Sequence, residues 1–361
     1  MQRRNLLIGG GVIAAVGLAA YAATRGPSYE TASAAVRAQR SRQDLGELDY
    51  LVHHATLAAN SHNTQPWLFS GGPDRVTIRP DLARATPVVD PDNHHLYASL
   101  GCAAENLGLA ASAAGRTSAI DFVADDVRVS LGGNGAASDP LFDAIAERQC
   151  TRSVYDGRPV PTDDMKRLED AARVAGCTVI LVTERPRMEQ ILELILAANT
   201  EQIGDPAFVA ELKHWLRFNA GDAIAHGDGL YSACSGNPTM PNWLAELVFG
   251  FAFTAKAENA RCAEQVRSSA GFAIFVSDRN DKAHWVQAGR SYQRFALAAT
   301  SLGIRHAFLN QPVEVARFRP ELAALLGIGE RRPDLVVRFG YGAAMPRSLR
   351  RPLLDVMMTA A

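Results

Sequence analysis

The hydrophobic positions of this chain follow two patterns that alternate along its length. Ala-rich stretches carry small and apolar residues at helical spacing, and short runs rich in branched and aromatic residues are typical of buried strands. The strand-like runs are Ala119–Ala124, Val127–Leu131, Gly176–Thr183, Gly271–Ser277 and Asp334–Gly342. Helices and strands that interleave in this way predict an α+β protein.

Two of the Ala-rich stretches resemble each other. The stretch that begins at Gly101 aligns without gaps with the one that begins at Gly289, at an offset of 289 − 101 = 188 residues. Each ends at a glycine, Gly115 or Gly303, as expected for a helix C-cap. Because Ala-rich helices also match by chance, the alignment alone leaves internal duplication and coincidence open.

The stretch Ser130–Pro140 has the Gly, Asn, Ser and Pro composition of a linker. It divides the chain into two related sheet-and-helix halves, which we place at residues 40–130 and 140–345. A region of the second half, Pro206–Asn259, has no counterpart in the first and carries two of the four tryptophans. This insertion, 206–259, is either an ordinary helical subdomain or a lid over a pocket. Residues 346–361 form a C-terminal tail.

Residues 1–26 begin with a pair of arginines, Arg3 and Arg4, followed by an uncharged Gly- and Ala-rich run from Asn5 to Thr24. This pattern predicts a twin-arginine export signal with a small-x-small cleavage site at Ala20–Ala22. An uncleaved anchor is the alternative, since the run is nearly long enough to span a bilayer. We expect an exported protein that is periplasmic or anchored to the membrane facing outward, with the export machinery as a partner. Because the twin-arginine route carries folded proteins, often around a cofactor, we also expect a cofactor site.

Composition narrows the function further. The 361 residues are 47% hydrophobic and 21% charged, so a sizeable core is available. A formal net charge of −1 offers no global field for nucleic acid or an anionic membrane. The five cysteines are scattered, which predicts free thiols and neither a zinc site nor a disulfide framework. The adjacent pairs His53-His54 and His94-His95 diverge on a helix, so no metal site is predicted.

The run Leu57–Phe69 places six hydrogen-bonding side chains in succession beside two aromatic residues, Trp67 and Phe69. A surface loop has no need of the aromatic residues, and a core strand has no use for the amides. We interpret the run as a ligand-holding loop that Trp67 anchors by packing. The candidate binding side chains are Asn60, Ser61, Asn63 and Gln65.

Arginines provide two candidate phosphate grips. Arg148 and Arg152 are four residues apart, and on a predicted helix they share a face, where paired guanidinium donors suit a dianionic oxyanion. A solvated charged helix end is the alternative. Near the C-terminus, Arg347 and Arg350 form a second candidate grip or a basic surface tail.

A third candidate segment is Ser301–Val315, which directly follows the second Ala-rich helix. Its Leu309 and Asn310 belong to an ordered turn of apolar and polar residues. Such a turn can lie along an aromatic ring and offer backbone N–H groups to the edge of that ring.

The run "AANSHNTQPW", the pattern Arg-x-Cys-x-Arg-Ser and the Ala-rich helix that leads into "LGI" and "LNQP" together resemble the FMN-dependent nitroreductase superfamily. More closely, they resemble its duplicated single-chain branch, the Acg-like flavin-binding proteins. The resemblance covers Leu45 to Met357; the Asn-x-Gln-Pro-Trp core is fairly specific, and the arginine pattern alone is weak. It implies a nitroreductase-like fold whose two halves form a pseudo-dimer in one chain, with a helical lid insertion.

Ordinary members of that superfamily are homodimers with the flavin at the subunit interface. One subunit supplies the arginine-bearing segment, and the other supplies the amide loop. Here the first half carries the loop and the second half carries Arg148 and Arg152. The resemblance therefore implies one complete FMN site across the two halves and a second site that has decayed.

The resemblance also implies roles for individual residues. Ser61 and Asn63, with Asn60 close by, would hydrogen-bond the ribityl chain or the ring edge. The residues that would meet the phosphate are Arg148, Arg152, Arg347 and Arg350.

Four more positions would contact the ribityl chain or the ring. Gln149 and Cys150 would reach ribityl or ring oxygens, although the family usually has Ser at position 150 and a thiol is a poorer donor. Leu309 and Asn310 would pass beside the flavin N5, where a backbone N–H tunes reactivity.

The function that the resemblance implies is an FMN-binding oxidoreductase with one site per chain. It would transfer hydride or electrons from a reductant such as NAD(P)H to a nitroaromatic or quinone-like acceptor. No acid or base side chain is strongly indicated. A non-catalytic protein that sequesters FMN under a lid is the alternative, and a flavin-free structural descendant is a third reading. Because the dimer interface would be internal, we expect a monomer.

Overall fold

The computed structural model describes residues 28–38 and 40–358, so the predicted export signal lies outside the described residues. The α-helices are α1 Tyr29–Arg37, α2 Arg42–Leu45, α3 Glu47–Thr56, α4 His94–Ala113, α5 Thr162–Ala171, α6 Arg185–Gly204, α7 Pro206–Trp215, α8 Ala220–His226, α9 Asn242–Ala252, α10 Ala255–Arg267, α11 Lys282–Ser301, α12 Gln311–Glu314, α13 Arg319–Leu326 and α14 Leu353–Val356. The strands are β1 Trp67–Gly72, β2 Arg75–Pro80, β3 Arg116–Val123, β4 Asp126–Asn134, β5 Cys177–Val182, β6 Leu216–Arg217, β7 Leu230–Tyr231, β8 Gly271–Ser277, β9 Arg305–Phe308 and β10 Pro333–Gly340.

Two antiparallel four-stranded sheets form the framework. The first has the order β1-β2-β4-β3, and the second has the order β5-β8-β10-β9. We match β1 with β5, β2 with β8, β3 with β9 and β4 with β10, in chain order. With this matching, the two sheets have the same strand order. The prediction of an α+β protein with two related sheet-and-helix halves is confirmed.

The predicted strand-like runs match β3, β4, β5, β8 and β10, whereas β1, β2, β6, β7 and β9 have no predicted counterpart. The run Gly271–Ser277 matches β8, because a strand buried on both faces carries apolar residues without interruption. The predicted linker Ser130–Pro140 is wrong at its start. Ser130 pairs with Arg75, and β4 continues to Asn134.

The two Ala-rich helices α4 and α11 pack against each other between the sheets. A Cβ atom on Gly101 would lie 2.0 Å from the carbonyl oxygen of Val286, and one on Gly289 would lie 1.9 Å from that of Ala98. The helices therefore touch backbone to backbone. Adding 188 to Gly101 gives Gly289, and subtracting 188 from Val286 gives Ala98. The two contacts are therefore equivalent, as they would be across a two-fold axis.

Side-chain hydrogen bonds between α4 and α11 repeat this exchange. The Gln293 amide donates to Asn106 at 2.7 Å, and Arg294 donates to Glu105 at 2.8 Å. Residues 105 and 106 plus 188 are residues 293 and 294. The pair of helices thus forms a self-complementary interface within one chain.

The second half contains a long insertion between β5 and β8. The segment 183–270, with helices α6 to α10, takes the place of the two-residue turn that joins β1 to β2. It includes the predicted insertion 206–259 and extends beyond it on both sides. We call the segment 183–270 the insertion from here on.

The tail returns to the first half. Met358 donates its N–H to the carbonyl of Phe69 in β1 at 2.7 Å, so the chain end lies along the edge of the first sheet. Within the residues that the structure describes, no helix combines the length and the apolar character needed to span a bilayer.

Candidate functional site

The polar loop before β1 has an unusual backbone. His62, Asn63 and Gln65 have positive φ angles of 46°, 55° and 54°. Such residues cost on the order of 1–3 kcal/mol each and persist only where the surrounding structure holds them. The loop is closed by the Gln65 N–H, which donates to the Asn60 side chain at 2.9 Å. Clustered strain of this kind is typical of ligand-binding sites.

Trp67 holds this loop to the core. The residue begins β1, its side chain is fully buried, and its ring lies 6.3 Å from the ring of the equally buried Phe69. The prediction that Trp67 is a packing anchor is confirmed.

The amides of Asn63 and Gln65 bind other parts of the protein. Asn63 donates to the carbonyls of Gly229 in the insertion and Leu349 in the tail, at 3.1 and 3.3 Å, and accepts from Arg350 at 3.0 Å. Gln65 likewise donates to the insertion at 2.9 Å and accepts an N–H of the tail at 2.8 Å. The two amides were predicted to face a cofactor. In the structure they fasten the insertion and the tail, because buried amides take whatever partners adjoin them.

The prediction of a helix that carries Arg148 and Arg152 on one face is wrong. A short 3-10 helix ends at residue 144, and residues 148–160 contain neither helix nor strand. Thr151 donates its N–H to the carbonyl of His306 in β9 at 2.8 Å, which holds the segment against the second sheet. The two arginines therefore reach different surroundings.

Arg148 lies in a group of four guanidinium groups that come from three separate parts of the sequence. We call it the arginine cluster; its members are Arg37 of α1, Arg148, Arg347 and Arg350. Arg148 and Arg350 both donate to the Leu57 carbonyl, at 2.9 and 3.3 Å, and Arg37 donates to the carbonyl of Arg148 at 3.3 Å. The structure thus brings three predicted phosphate ligands together, and Arg37 is a member that no sequence signal indicated.

The positive charge of the arginine cluster exceeds what its protein neighbours neutralise. Within the described residues only Arg347 of the four pairs with a carboxylate, that of Glu147. Burial and then Arg148 lower the pKa of Arg350 to about 9, and burial with Arg350 and Arg148 lowers the pKa of Arg37. The Nε atoms of Arg37 and Arg148 are buried without a hydrogen-bond partner in this part of the chain. Like charges out of water need a counter-charge, so the cluster fits a dianionic phosphate.

A cavity of about 300 Å³ lies between α4, α11, the polar loop and the inner side of the insertion. This volume is within the range of small-molecule sites. The predicted residues on its wall are Asn60, Ser61, Arg152, Leu309 and Asn310. The predicted residues outside its wall are Asn63, Gln65, Arg148, Gln149, Cys150, Arg347 and Arg350. Arg350 donates to the carbonyl of Ala58, and the next residue lines the cavity, so the arginine cluster adjoins it.

The insertion supplies much of the cavity wall. The apolar side chains that it contributes include Phe208, Leu212, Phe249 and Phe253. The Arg261 guanidinium also lies on the wall, where it donates to the side chain of Asn237 at 2.6 Å. These contributions agree with the prediction that this region is a lid over a pocket.

Cys150 lies beside both the arginine cluster and the cavity. Its sulfur is 3.6 Å from the hydroxyl of Tyr292, which lines the cavity, and 3.9 Å from Arg148. Burial raises the pKa of this thiol, but the nearby His306 side chain and the charge of Arg148 outweigh it and lower the pKa to about 6. A thiolate accepts hydrogen bonds, so Cys150 offers an acceptor where a serine would offer a donor as well.

Gln149 and Arg347 hold the tail. The Gln149 amide donates to the carbonyl of Met345 and accepts its N–H, both at 2.9 Å. Arg347 pairs with Glu147. The predicted contact of Gln149 with a cofactor is replaced by this pair of bonds, because the tail runs directly over the residue.

Leu309 and Asn310 form the turn after β9 on the cavity wall. Leu309 donates its N–H to the carbonyl of Val336 at 2.9 Å, and the Asn310 side chain accepts the N–H of Val336 at 2.9 Å. No acceptor in residues 28–38 and 40–358 takes the N–H of Asn310. This N–H is therefore a free donor on the turn.

Two acid–base groups on the cavity wall were missed by sequence reasoning. His95 at the start of α4 and Glu314 at the end of α12 lie 3.8 Å apart. Burial lowers the pKa of His95 and raises that of Glu314, so both neutral forms are favoured and the pair can hold a proton at the cavity. The sequence contains the signal only as the pair His94-His95, which was considered solely for metal binding.

The chain is similar in sequence to two mycobacterial proteins. No model of a known protein family matches the chain. The chain is 25% identical over 324 residues to the Mycobacterium tuberculosis H37Rv protein provisionally named NAD(P)H nitroreductase Rv3131; the match covers 84% of this chain and 88% of that protein. It is 24% identical over 332 residues to the protein provisionally named NAD(P)H nitroreductase acg of the same strain, covering 86% and 95%.

Solved structures also show similarity. The FMN-dependent nitroreductase NfnB from Mycobacterium smegmatis, in complex with NADPH, matches with a TM-score of 0.41 and 16% identity, covering 60% of this chain and 96% of that chain. A nitroreductase with bound FMN from Desulfitobacterium hafniense DCB-2 matches with a TM-score of 0.39 and 15% identity, covering 62% and 99%.

Proposed function

We propose that this protein binds one FMN per chain and acts as a flavin-dependent oxidoreductase of nitroreductase type. The observation that carries the proposal is the arginine cluster, which leaves buried guanidinium groups without carboxylate partners beside a cavity of ligand size. The relatives provisionally named NAD(P)H nitroreductases support the same reaction class, because they match over most of the chain.

The residues divide the binding of FMN between two regions. In the arginine cluster, Arg37, Arg148 and Arg350 would hold the phosphate through charge-assisted hydrogen bonds. On the cavity wall, Ser61 and Arg152 would meet polar edges of the ring system, and the free N–H of Asn310 would donate to it. FMN, when bound, supplies two-electron redox chemistry.

The protein's own contribution is orientation, exclusion of water and a proton. The apolar side chains of the insertion keep water from the cavity, which strengthens the polar contacts inside. The pair His95 Nε2 and Glu314 Oε1 holds a proton that an acceptor in the cavity would take up as it is reduced. We propose NAD(P)H as the donor and a nitroaromatic or quinone-like compound as the acceptor.

Replacing Arg148 or Arg350 by Met tests the phosphate assignment. Each charge-assisted bond contributes about 1.5–3 kcal/mol, so FMN affinity should fall about 10- to 150-fold. The measurement is the ratio of flavin to protein absorbance in purified protein, followed by fluorimetric FMN titration of the apoprotein. Arg173→Met, at an exposed position, is the matched control. An unchanged ratio in both cluster variants would overturn the proposal.

A second candidate is a protein that sequesters FMN without turnover, and the position of the insertion over the cavity favours it. Steady-state NAD(P)H oxidation with menadione or nitrofurazone separates the two functions. Turnover supports the oxidoreductase. Retained flavin with no oxidation under any acceptor supports sequestration.

We also propose that the two halves arose by duplication and form a pseudo-dimer, so that the chain works as a monomer. The reciprocal contacts of α4 and α11 and the shared strand order support this. Light scattering after size-exclusion chromatography should report the mass of one chain, 38.8 kDa or slightly less after processing. A mass twice as large would contradict the monomer.

The twin-arginine export signal at residues 1–26 remains part of the proposal and rests on the sequence, on Arg3 and Arg4 followed by the uncharged Gly- and Ala-rich run. Substitution of both by Lys should abolish export while the folded protein accumulates in the cytoplasm. Cell fractionation measures the outcome. Export of the variant at the normal level would refute this localisation.

A further inference from the structure

Helix α9 of the insertion carries an exposed apolar stripe. Trp243, Leu247 and Phe251 follow one another at four-residue spacing and are 72%, 60% and 80% exposed. Residues four apart lie on one face of a helix, so the three side chains form one continuous strip about 12 Å long. Exposed apolar surfaces of this kind mark contact sites in soluble proteins.

The opposite side of the same helix is already occupied. Phe249 and Phe253 line the cavity, and Phe249 also packs near Phe218 with ring centres 6.2 Å apart. An ordinary lid helix needs only this one apolar face. The outer stripe of α9 therefore serves neither the cavity nor the core of the described protein.

The start of the described chain lies close to α9. Tyr29 of α1 packs on Tyr231 with ring centres 4.2 Å apart, and α1 packs on α8. Asn219, which caps α8, donates to Asn242, the first residue of α9, at 2.7 Å. Since α8 has seven residues, α9 begins about one 10 Å helix length from the contact with α1.

The sequence that precedes this point is apolar. The run from Asn5 to Thr24 contains no charged residue. The four steps from Thr24 to Ser28 span at most about 14 Å when extended. A lipid surface that contacts this run is therefore held within reach of the α9 stripe.

We propose that the stripe of Trp243, Leu247 and Phe251 docks on the surface of a lipid bilayer in the uncleaved chain, with the N-terminal run retained as an anchor and as the second point of attachment. Tryptophan beside Leu and Phe on one helix face is typical of interfacial membrane helices. Two weak attachments together give stable binding where either alone is marginal. Docking places the helix that closes the cavity at the lipid surface, and it does not depend on the redox function proposed above.

Trp243 is the reporter for the test. The other three tryptophans of the chain, all within the described residues, are at most 7% exposed. The full chain is mixed with vesicles of phosphatidylcholine brominated on its acyl chains, and tryptophan emission is compared with that in unbrominated vesicles. Docking predicts quenching in the native chain and loss of that quenching in Trp243→Phe, which keeps the apolar surface but removes the reporter.

A matched pair of variants separates the stripe from the N-terminal run. Leu247→Ser combined with Phe251→Ser should lose most of the quenching although the N-terminal run still binds vesicles in a flotation assay. The control variant, Leu82→Ser combined with Leu354→Ser, removes two apolar side chains that are similarly exposed outside the stripe. This variant should keep the quenching.

Two results would overturn the proposal. One is vesicle flotation of the native chain without quenching by brominated lipid, since the stripe would then face water. The other is protection of Trp243 from acrylamide in the absence of vesicles, since the N-terminal run or a second copy of the chain would then cover the stripe.

Discussion

Replacing Gly101 by Ala tests the contact on which the arrangement of the two halves depends. The added Cβ would lie 2.0 Å from the carbonyl oxygen of Val286, a backbone atom in the second turn of α11. Real contacts of this kind do not fall below about 3 Å, so α4 and α11 must separate by roughly 1 Å. The bonds from α11 to Asn106 and Glu105 span the same interface and would stretch with it.

The magnitude follows from two opposing effects. Overpacking against rigid backbone costs about 3 kcal/mol, while Ala in place of Gly within a helix returns about 1 kcal/mol, so the net loss is about 2 kcal/mol. Gly289→Ala should cost about the same, because its Cβ would meet the carbonyl of Ala98 at 1.9 Å in the reciprocal contact.

The assay is urea unfolding followed by circular dichroism, with FMN content as a second readout because Ala98, Cys102 and Tyr292 line the cavity. Gly108→Ala, on the same helix, is the matched control. Its Cβ would meet two side-chain atoms, the Ser118 hydroxyl at 3.2 Å, which can move, and Ile120 Cδ1 at an ordinary 3.5 Å, so this variant should be neutral or more stable. The reasoning is refuted if Gly101→Ala is as stable as Gly108→Ala.

The remaining predictions concern charge. In the apoprotein, Cys150 should react with iodoacetamide at a rate that rises through about pH 6. Cys177, whose pKa is raised to about 12 by burial, should stay unlabelled at neutral pH. Mass spectrometry of the labelled peptides measures both rates, and labelling of Cys150 only above pH 8 would contradict the prediction. Burial and then His54 lower the pKa of His53 to about 4. Below about pH 6.5 the unfolded chain therefore binds a proton at His53 that the folded chain does not bind. The stability that is present above about pH 6.5 is lost as the pH falls towards about 4. His53→Gln should flatten the pH dependence of the unfolding free energy by up to about 1.4 kcal/mol per pH unit in this window, measured by urea titration at pH 7.0, 5.5 and 4.5; an unchanged slope would show that His53 does not titrate in this way.

Sequence patterns anticipated the two central helices and five of the ten strands in the described residues. The run Gly271–Ser277 became β8, and the gapless match at an offset of 188 became two helices of 20 residues each that begin at His94 and Lys282. Both helices start seven residues before the matched stretches, because the aromatic and polar residues of their first turns obscure the Ala-rich pattern. These features are local, since a helix or a strand is set by the spacing of apolar side chains over ten to twenty residues.

The candidate site was anticipated in part. The sequence indicated Ser61, Arg152 and Asn310, and the structure places all three on one cavity wall. It indicated Asn63 equally, yet the amide of Asn63 holds the insertion and the tail. An amide that binds a ligand and one that binds backbone look alike in a sequence, because both need only hydrogen-bond partners.

What the sequence determined by itself is an inventory: two similar Ala-rich helices, the Trp67 anchor and three of the four members of the arginine cluster. The tertiary structure decided which groups meet. Arg37, Arg148 and Arg350 are separated by more than 100 residues from one another, and His95 meets Glu314 on the cavity wall. Such encounters depend on how α4 and α11 cross, and that crossing is set by backbone packing at Gly101 and Gly289, over distances that periodicity along the chain does not encode.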